Sequence, residues 1–96
     1  MEYLFIQRQG DKEQIIEFLL EFNCKSQNEL VSIYNRNVEI GIVGAHAQAQ
    51  RLVALHHAFK NTFGTSPIKV EDNIISLTGS IVLSKGSWIY QSTLNF

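Results

Sequence analysis

Gly44-Ala-His-Ala-Gln-Ala-Gln-Arg-Leu-Val-Ala-Leu-His-His-Ala-Phe-Lys-Asn-Thr-Phe-Gly64 is the stretch around which the chain is organised. Ala45, Ala49, Leu52, His56, Phe59 and Phe63 recur in it at spacings of four and three, which puts them on one face of a helix. Val53 and Leu55 flank that stripe and widen it, as a helix lying on a sheet requires. Gly44 stands where the N-cap is expected. Gly64 stands at the position after the helix, where a missing Cβ removes the penalty of left-handed backbone. Lys60 in the last turn suits the negative end of the helix dipole. The opposite face carries Ala47, Ala54 and Ala58, with Arg51 beside them. Alanine there is either a good helix former in solvent or a flat seat for another helix or strand.

Upstream, Val38 to Val43 sets Val38, Ile40 and Ile42 on one face of a strand that runs straight into the helix. Glu29 to Tyr34 predicts a second strand, and Asn35-Arg36-Asn37 between them is turn chemistry, giving a β-hairpin. Cys24 to Asn28 is a polar loop. Before it, Asp11 opens a helix, with Gln14 three residues on in a capping-box pattern. Ile15, Phe18, Leu19 and Phe22 form its core face, Ile16 and Leu20 extend the apolar arc to one side, and Asn23 stops it. Glu13, Glu17 and Glu21 line the polar face, either as a solvated surface or as an acidic ridge for a basic partner. Glu2 to Gln7, rich in aromatic and β-favouring residues, predicts a strand with both faces partly covered.

Downstream, Pro67 restricts the next strand to an edge or an entry position, with Ile68 and Val70 on one face. Glu71-Asp72-Asn73 predicts a turn, Ile74 to Leu77 a strand, Thr78-Gly79-Ser80 a tight turn and Ile81 to Leu83 another strand. Ser84-Lys85-Gly86-Ser87 makes a further turn into Trp88-Ile89-Tyr90. Trp88 and Tyr90 share a strand face close to Leu94 and Phe96, as core or as interface aromatics.

These elements predict one α+β domain over residues 1–96: two helices on a mainly antiparallel sheet, in the order strand-helix-strand-strand-helix-strands. The first six follow the ferredoxin-like, split βαβ order, with an extra C-terminal hairpin. Setting the first strand aside, the succession of helix, hairpin, long helix and three-stranded meander is similar in element order to the roadblock and profilin-like layouts, where helices sandwich one sheet.

Composition narrows the function. Of 96 residues, 45% are apolar and only 18% charged, below the roughly 25% of soluble domains. A chain this short buries about two-thirds of its unfolded surface. A small core and scarce charge together favour self-association, so a homodimer is expected. The charges are scattered and sum to −1, which leaves no electrostatic footprint for nucleic acid, although Tyr3, Phe5, Tyr34, Trp88 and Tyr90 offer stacking groups. No apolar run is long enough to span a bilayer and the first residues lack a leader pattern, so no membrane association is expected. Cys24 is alone and forms no internal disulfide, which fits a reducing cytoplasm.

Candidate chemistry is sparse. His46 and His57 are eleven residues apart, about 16 Å along a helix, and no His-x-x-x-His pair occurs. No metal and no cofactor is expected. His56 lies within the apolar stripe, as a packed core histidine or as a base lining a pocket. Gly41-Ile-Val-Gly44 leads from a strand to a helix N-terminus, where backbone N–H groups can receive an anion, but it lacks the glycines and lysine of nucleotide loops. The expectation is a small non-catalytic binding domain that self-associates and acts through a protein partner or a ligand held at its surface. Its interface residues would be Ala47, Arg51, Ala54, Ala58, Trp88 and Tyr90. The alternative is a small enzyme or ligand-binding protein with a pocket between sheet and long helix near His56, with His46 and Gly44 as further binding residues.

Overall fold

The computed structural model describes residues 2–94; Phe96, expected as a core or interface aromatic beside Trp88 and Tyr90, lies outside them. Strand β1 (Glu2–Leu4) is followed by three helices, α1 (Asp11–Asn23), α2 (Gln27–Ile40) and α3 (His46–Phe63). Four short strands come next: β2 (Lys69–Glu71), β3 (Ile74–Ser76), β4 (Ile81–Ser84) and β5 (Ser87–Tyr90), then a 3-10 turn over Gln91–Leu94. The class is α+β, with two separate antiparallel sheets.

The expected hairpin over Glu29–Val43 is instead helix α2, and this changes the element order. The ferredoxin-like succession is not the one the chain adopts, and the roadblock or profilin-like layout loses its central hairpin in the same way. The local reason lies in the supposed loop. Ser26 Oγ accepts from the Glu29 N–H at 3.2 Å, and Glu29 Oε1 accepts from the Ser26 N–H at 3.0 Å, a complete capping box. From there Leu30 and Tyr34 are buried one turn apart, with Val31 beside Leu30 and Val38 half-buried one turn further on. Burial on that face outweighs the β preference of Val31, Ile33, Val38 and Ile40. Asn35 and Asn37 are helical residues, not turn residues.

The long helix is present and is central. Gly64 closes it at φ 82°, its N–H donating to the Lys60 carbonyl at 2.9 Å. Its N-cap is Ala45 rather than Gly44. Ala49, Leu52, Leu55 and Phe59 are buried, and so are Ala54 and Ala58 of the supposed back face. The helix is covered on two sides because α1 lies along it on one side, while α2 and the strands close the other. α1 begins at Asp11 as expected, but its cap is Gly10 at φ 88° and no side chain caps it.

The C-terminal half holds the expected strands, divided between two sheets. β3 is the centre of the first, in the order β1-β3-β2, with Glu2 opposite Ser76, Ser76 opposite Lys69, and Leu4 opposite Ile74. Asp72 and Asn73, at φ 51° and 66°, make the two-residue turn between β2 and β3. β4 pairs only with β5, so Thr78-Gly79-Ser80 links two sheets rather than turning a hairpin. The β4–β5 hairpin is joined to the body by side chains. Asn35 accepts from the Ile81 N–H and donates to its carbonyl, both at 2.8 Å, and the Tyr34 hydroxyl donates to the Gly79 carbonyl at 2.8 Å.

Candidate binding surface

The crossing of α1 and α3 begins at Asp11, the one buried charged side chain among the described residues, at 2% exposure. Its Oδ1 accepts from His46 Nε2 at 2.8 Å and from Gln50 Nε2 at 2.7 Å, one helical turn apart on α3. Its Oδ2 accepts from the Arg8 backbone N–H at 2.6 Å. Burial pushes the carboxyl upward, but the Arg8 N–H, the His46 and Gln50 side chains and the His46 charge outweigh it, holding Asp11 below its ordinary value. An ionised carboxylate only accepts, so His46 Nε2 carries a proton here. The Asp11 carboxylate also lies at the first turns of both helices, where their dipoles favour negative charge. Phe5 covers the His46 ring at 5.1 Å between centroids.

An Asp–His pair can orient a catalytic base, but that base needs a nucleophile or a substrate site within reach. Among the described residues no hydroxyl or thiol hydrogen-bonds to His46. The arrangement instead ties the starts of α1 and α3 together. Further along the same crossing, Arg51 lays its guanidinium over Phe18 at 4.8 Å and Phe22 at 5.7 Å.

Beside this seam runs an open groove of about 310 Å³. Ile15, Ile16, Leu19 and Val53 make its apolar walls, and Gln7, Lys12 and His57 stand at its polar margin. It contains no carboxylate and two groups able to carry positive charge. The sequence signal for it is the apolar arc of α1, which runs past the core face to Ile16; the groove itself depends on where α3 lies and is not readable from α1 alone.

The expected site residues are dispersed. His46 and Gly44 share one end of α3, where the Gly44 carbonyl receives the Tyr3 hydroxyl at 3.5 Å. His56 lies ten residues further along, about 15 Å away, half-buried near Ile68. Among the described residues its buried Nδ1 has no hydrogen-bond partner. Burial lowers its pKa, the Ile68 backbone draws it partly back up, and the nearby His57 and Lys60 charges lower it further. Five open depressions among the described residues, the groove included, are lined by other residues than His46 and His56.

Of the supposed interface, Ala54 and Ala58 are inside the core of the single chain, while Ala47 and Arg51 remain exposed. Trp88 and Tyr90 are half-buried with ring centroids 5.3 Å apart. Their polar atoms donate to the Thr65 and Pro67 carbonyls at 3.2 and 3.4 Å, so they fasten the hairpin to the segment after α3. The ridge of Glu13, Glu17 and Glu21 is exposed. Asp11 as a buried hub had no distinguishing signal, because an acidic residue in a first turn is common at exposed helix starts. No group of three or more His, Cys, Asp or Glu among the described residues is placed to hold a metal ion. No described helix is long and apolar enough to cross a membrane. Comparison with known protein families, with curated proteins and with solved structures gave no match.

Proposed function

We propose that the protein is a small non-catalytic binding domain that self-associates and acts through a protein partner or a ligand held at its surface. One observation carries this reading. The core is closed around α3, yet Leu4, Ile6, Ile16, Leu20, Ile40, Val43, Ile74 and Leu94 all stand in solvent. Single exposed apolar side chains are ordinary; this many in a chain with 18% charged residues is surface available for burial. The groove between α1 and α3 is the part best shaped for a partner, and its apolar walls with Lys12 and His57 at the margin suit a segment carrying an aliphatic side chain next to a carboxylate. The pocket alternative would need a cavity at His56, and none of the five depressions described above is lined by it.

The test is solution mass by light scattering across a dilution series. The expected result is a mass that falls from dimer to monomer as the protein is diluted through the micromolar range. A monomer mass at every concentration would remove the self-association half of the reading.

A further inference from the structure

The three-stranded sheet has two free edges, and they differ. The Phe5 N–H donates to the Asn73 carbonyl at 2.6 Å, which continues the β1–β3 ladder beyond Leu4 opposite Ile74. In an antiparallel ladder the residues facing the partner alternate, so Tyr3 and Phe5 face β3, while Glu2 and Leu4 turn their N–H and C=O groups outward. Among the described residues nothing bonds the backbone of Leu4 or of Ile6, which follows it. On the other edge, β2 carries exposed Lys69 and Glu71, the charged flanks that discourage strand addition. On β1 the charges stand further apart, at exposed Glu2 and Arg8, and the stretch between them is apolar: Leu4 is 58% and Ile6 66% exposed.

The pattern Glu2-x-Leu4-x-Ile6-x-Arg8 is complementary to its own reverse. Pairing two antiparallel copies so that Phe5 lies on the twofold axis puts Leu4 opposite Ile6 of the second copy and Glu2 opposite its Arg8, each twice. Shifting by two residues in either direction sets a charge against an apolar side chain. We propose that β1 pairs with β1 of a second copy of this chain in that register, joining the two three-stranded sheets into one continuous sheet. The Arg8 N–H and carbonyl are already engaged by Asp11, so the new ladder is limited to about four backbone bonds, between Leu4 and Ile6 of either copy. The Glu2 and Arg8 side chains, both exposed, pair outside it. Opposed aliphatic and opposite-charge pairs are what stabilise a cross-strand contact, and like charges there oppose it.

This inference rests on the self-association proposed above, and its test separates the two. Light scattering at low ionic strength is run on the full chain, on Glu2→Arg, on Arg8→Glu, and on an equimolar mixture of the two variants, with circular dichroism to follow the fold. Each variant alone sets like charges opposite each other and is expected to raise the dissociation constant on the order of tenfold. The mixture restores both opposite-charge pairs in a mixed dimer and is expected to associate at least as tightly as the parent. If the parent dimerises and neither variant alters its mass, self-association stands and this surface is overturned. If the parent is monomeric throughout, both fall.

Discussion

Asn35 does for the β4–β5 hairpin what a neighbouring strand would do. Its amide presents one donor and one acceptor to the Ile81 backbone, on the outer edge of β4. Asn35→Ala removes both bonds and leaves the N–H and C=O of a fully buried residue unpaired. The expected loss is about 2–3 kcal/mol in urea unfolding, with the hairpin amides losing hydrogen-exchange protection before those of α3. His56 gives a pH signature. Its folded pKa lies below the ordinary 6.5, so the unfolded chain takes up the proton first as pH falls. Stability is therefore complete above 6.5 and declines as pH falls from there through the folded value. Asp11 adds a similar loss only below its own ordinary value of 3.8, so of the two only His56 acts as pH first falls below 6.5. His56→Leu is expected to flatten the slope of the urea midpoint below pH 6.5 and to leave neutral stability unchanged or higher, since it removes an unpartnered buried nitrogen. An unchanged slope would assign the pH dependence to another group.

Among the elements, α3 was legible because its apolar spacing, length and terminal glycine agree. The hairpin turns were legible for the same kind of reason, since Asp72-Asn73 and Lys85-Gly86 carry their own backbone preferences. α2 was not, because two local signals conflict there. Its β-branched residues and its Asn-Arg-Asn centre favour strand and turn, while Ser26 and Glu29 mark a helix start. Packing against α3 and β4 decides the conflict, and that information is spread over the whole chain. The helical state of α2 also sets the covering layers, so Ala54 and Ala58, which a strand reading of that segment leaves on a free face, are core. The Ser26 cap should therefore matter more than its exposed position suggests. Ser26→Ala is expected to cost about 1 kcal/mol in chemical unfolding, and a change within error would show that tertiary packing alone holds the start of α2.

Across the molecule, the structure resolves the tension visible in the composition. Burial is concentrated on α3, with α1 on one side and α2 and the strands on the other. Among the apolar residues beyond what that core takes up, Ile16 lines the groove, Leu4 and Ile6 lie along a sheet edge, and Val43 stands before α3. Residues at those places are the ones that the dilution series and the charge exchange address. Their apolar patterns are visible in the sequence, but their exposure is not, because exposure is a property of the assembled layers.

The pairing of Glu2 with Ser76 joins segments from opposite ends of the sequence. During synthesis β1 has no partner in this sheet until all three helices and the β2–β3 turn have followed it. The helices, whose contacts with one another are nearer in sequence, can collapse earlier, while closure of the sheet must meet the entropy of a loop spanning most of the domain. Until β3 is made, the aliphatic residues of β1 have no strand beside them. For that interval both edges of β1 are open to mispairing, whereas in the folded protein one of them is closed by β3.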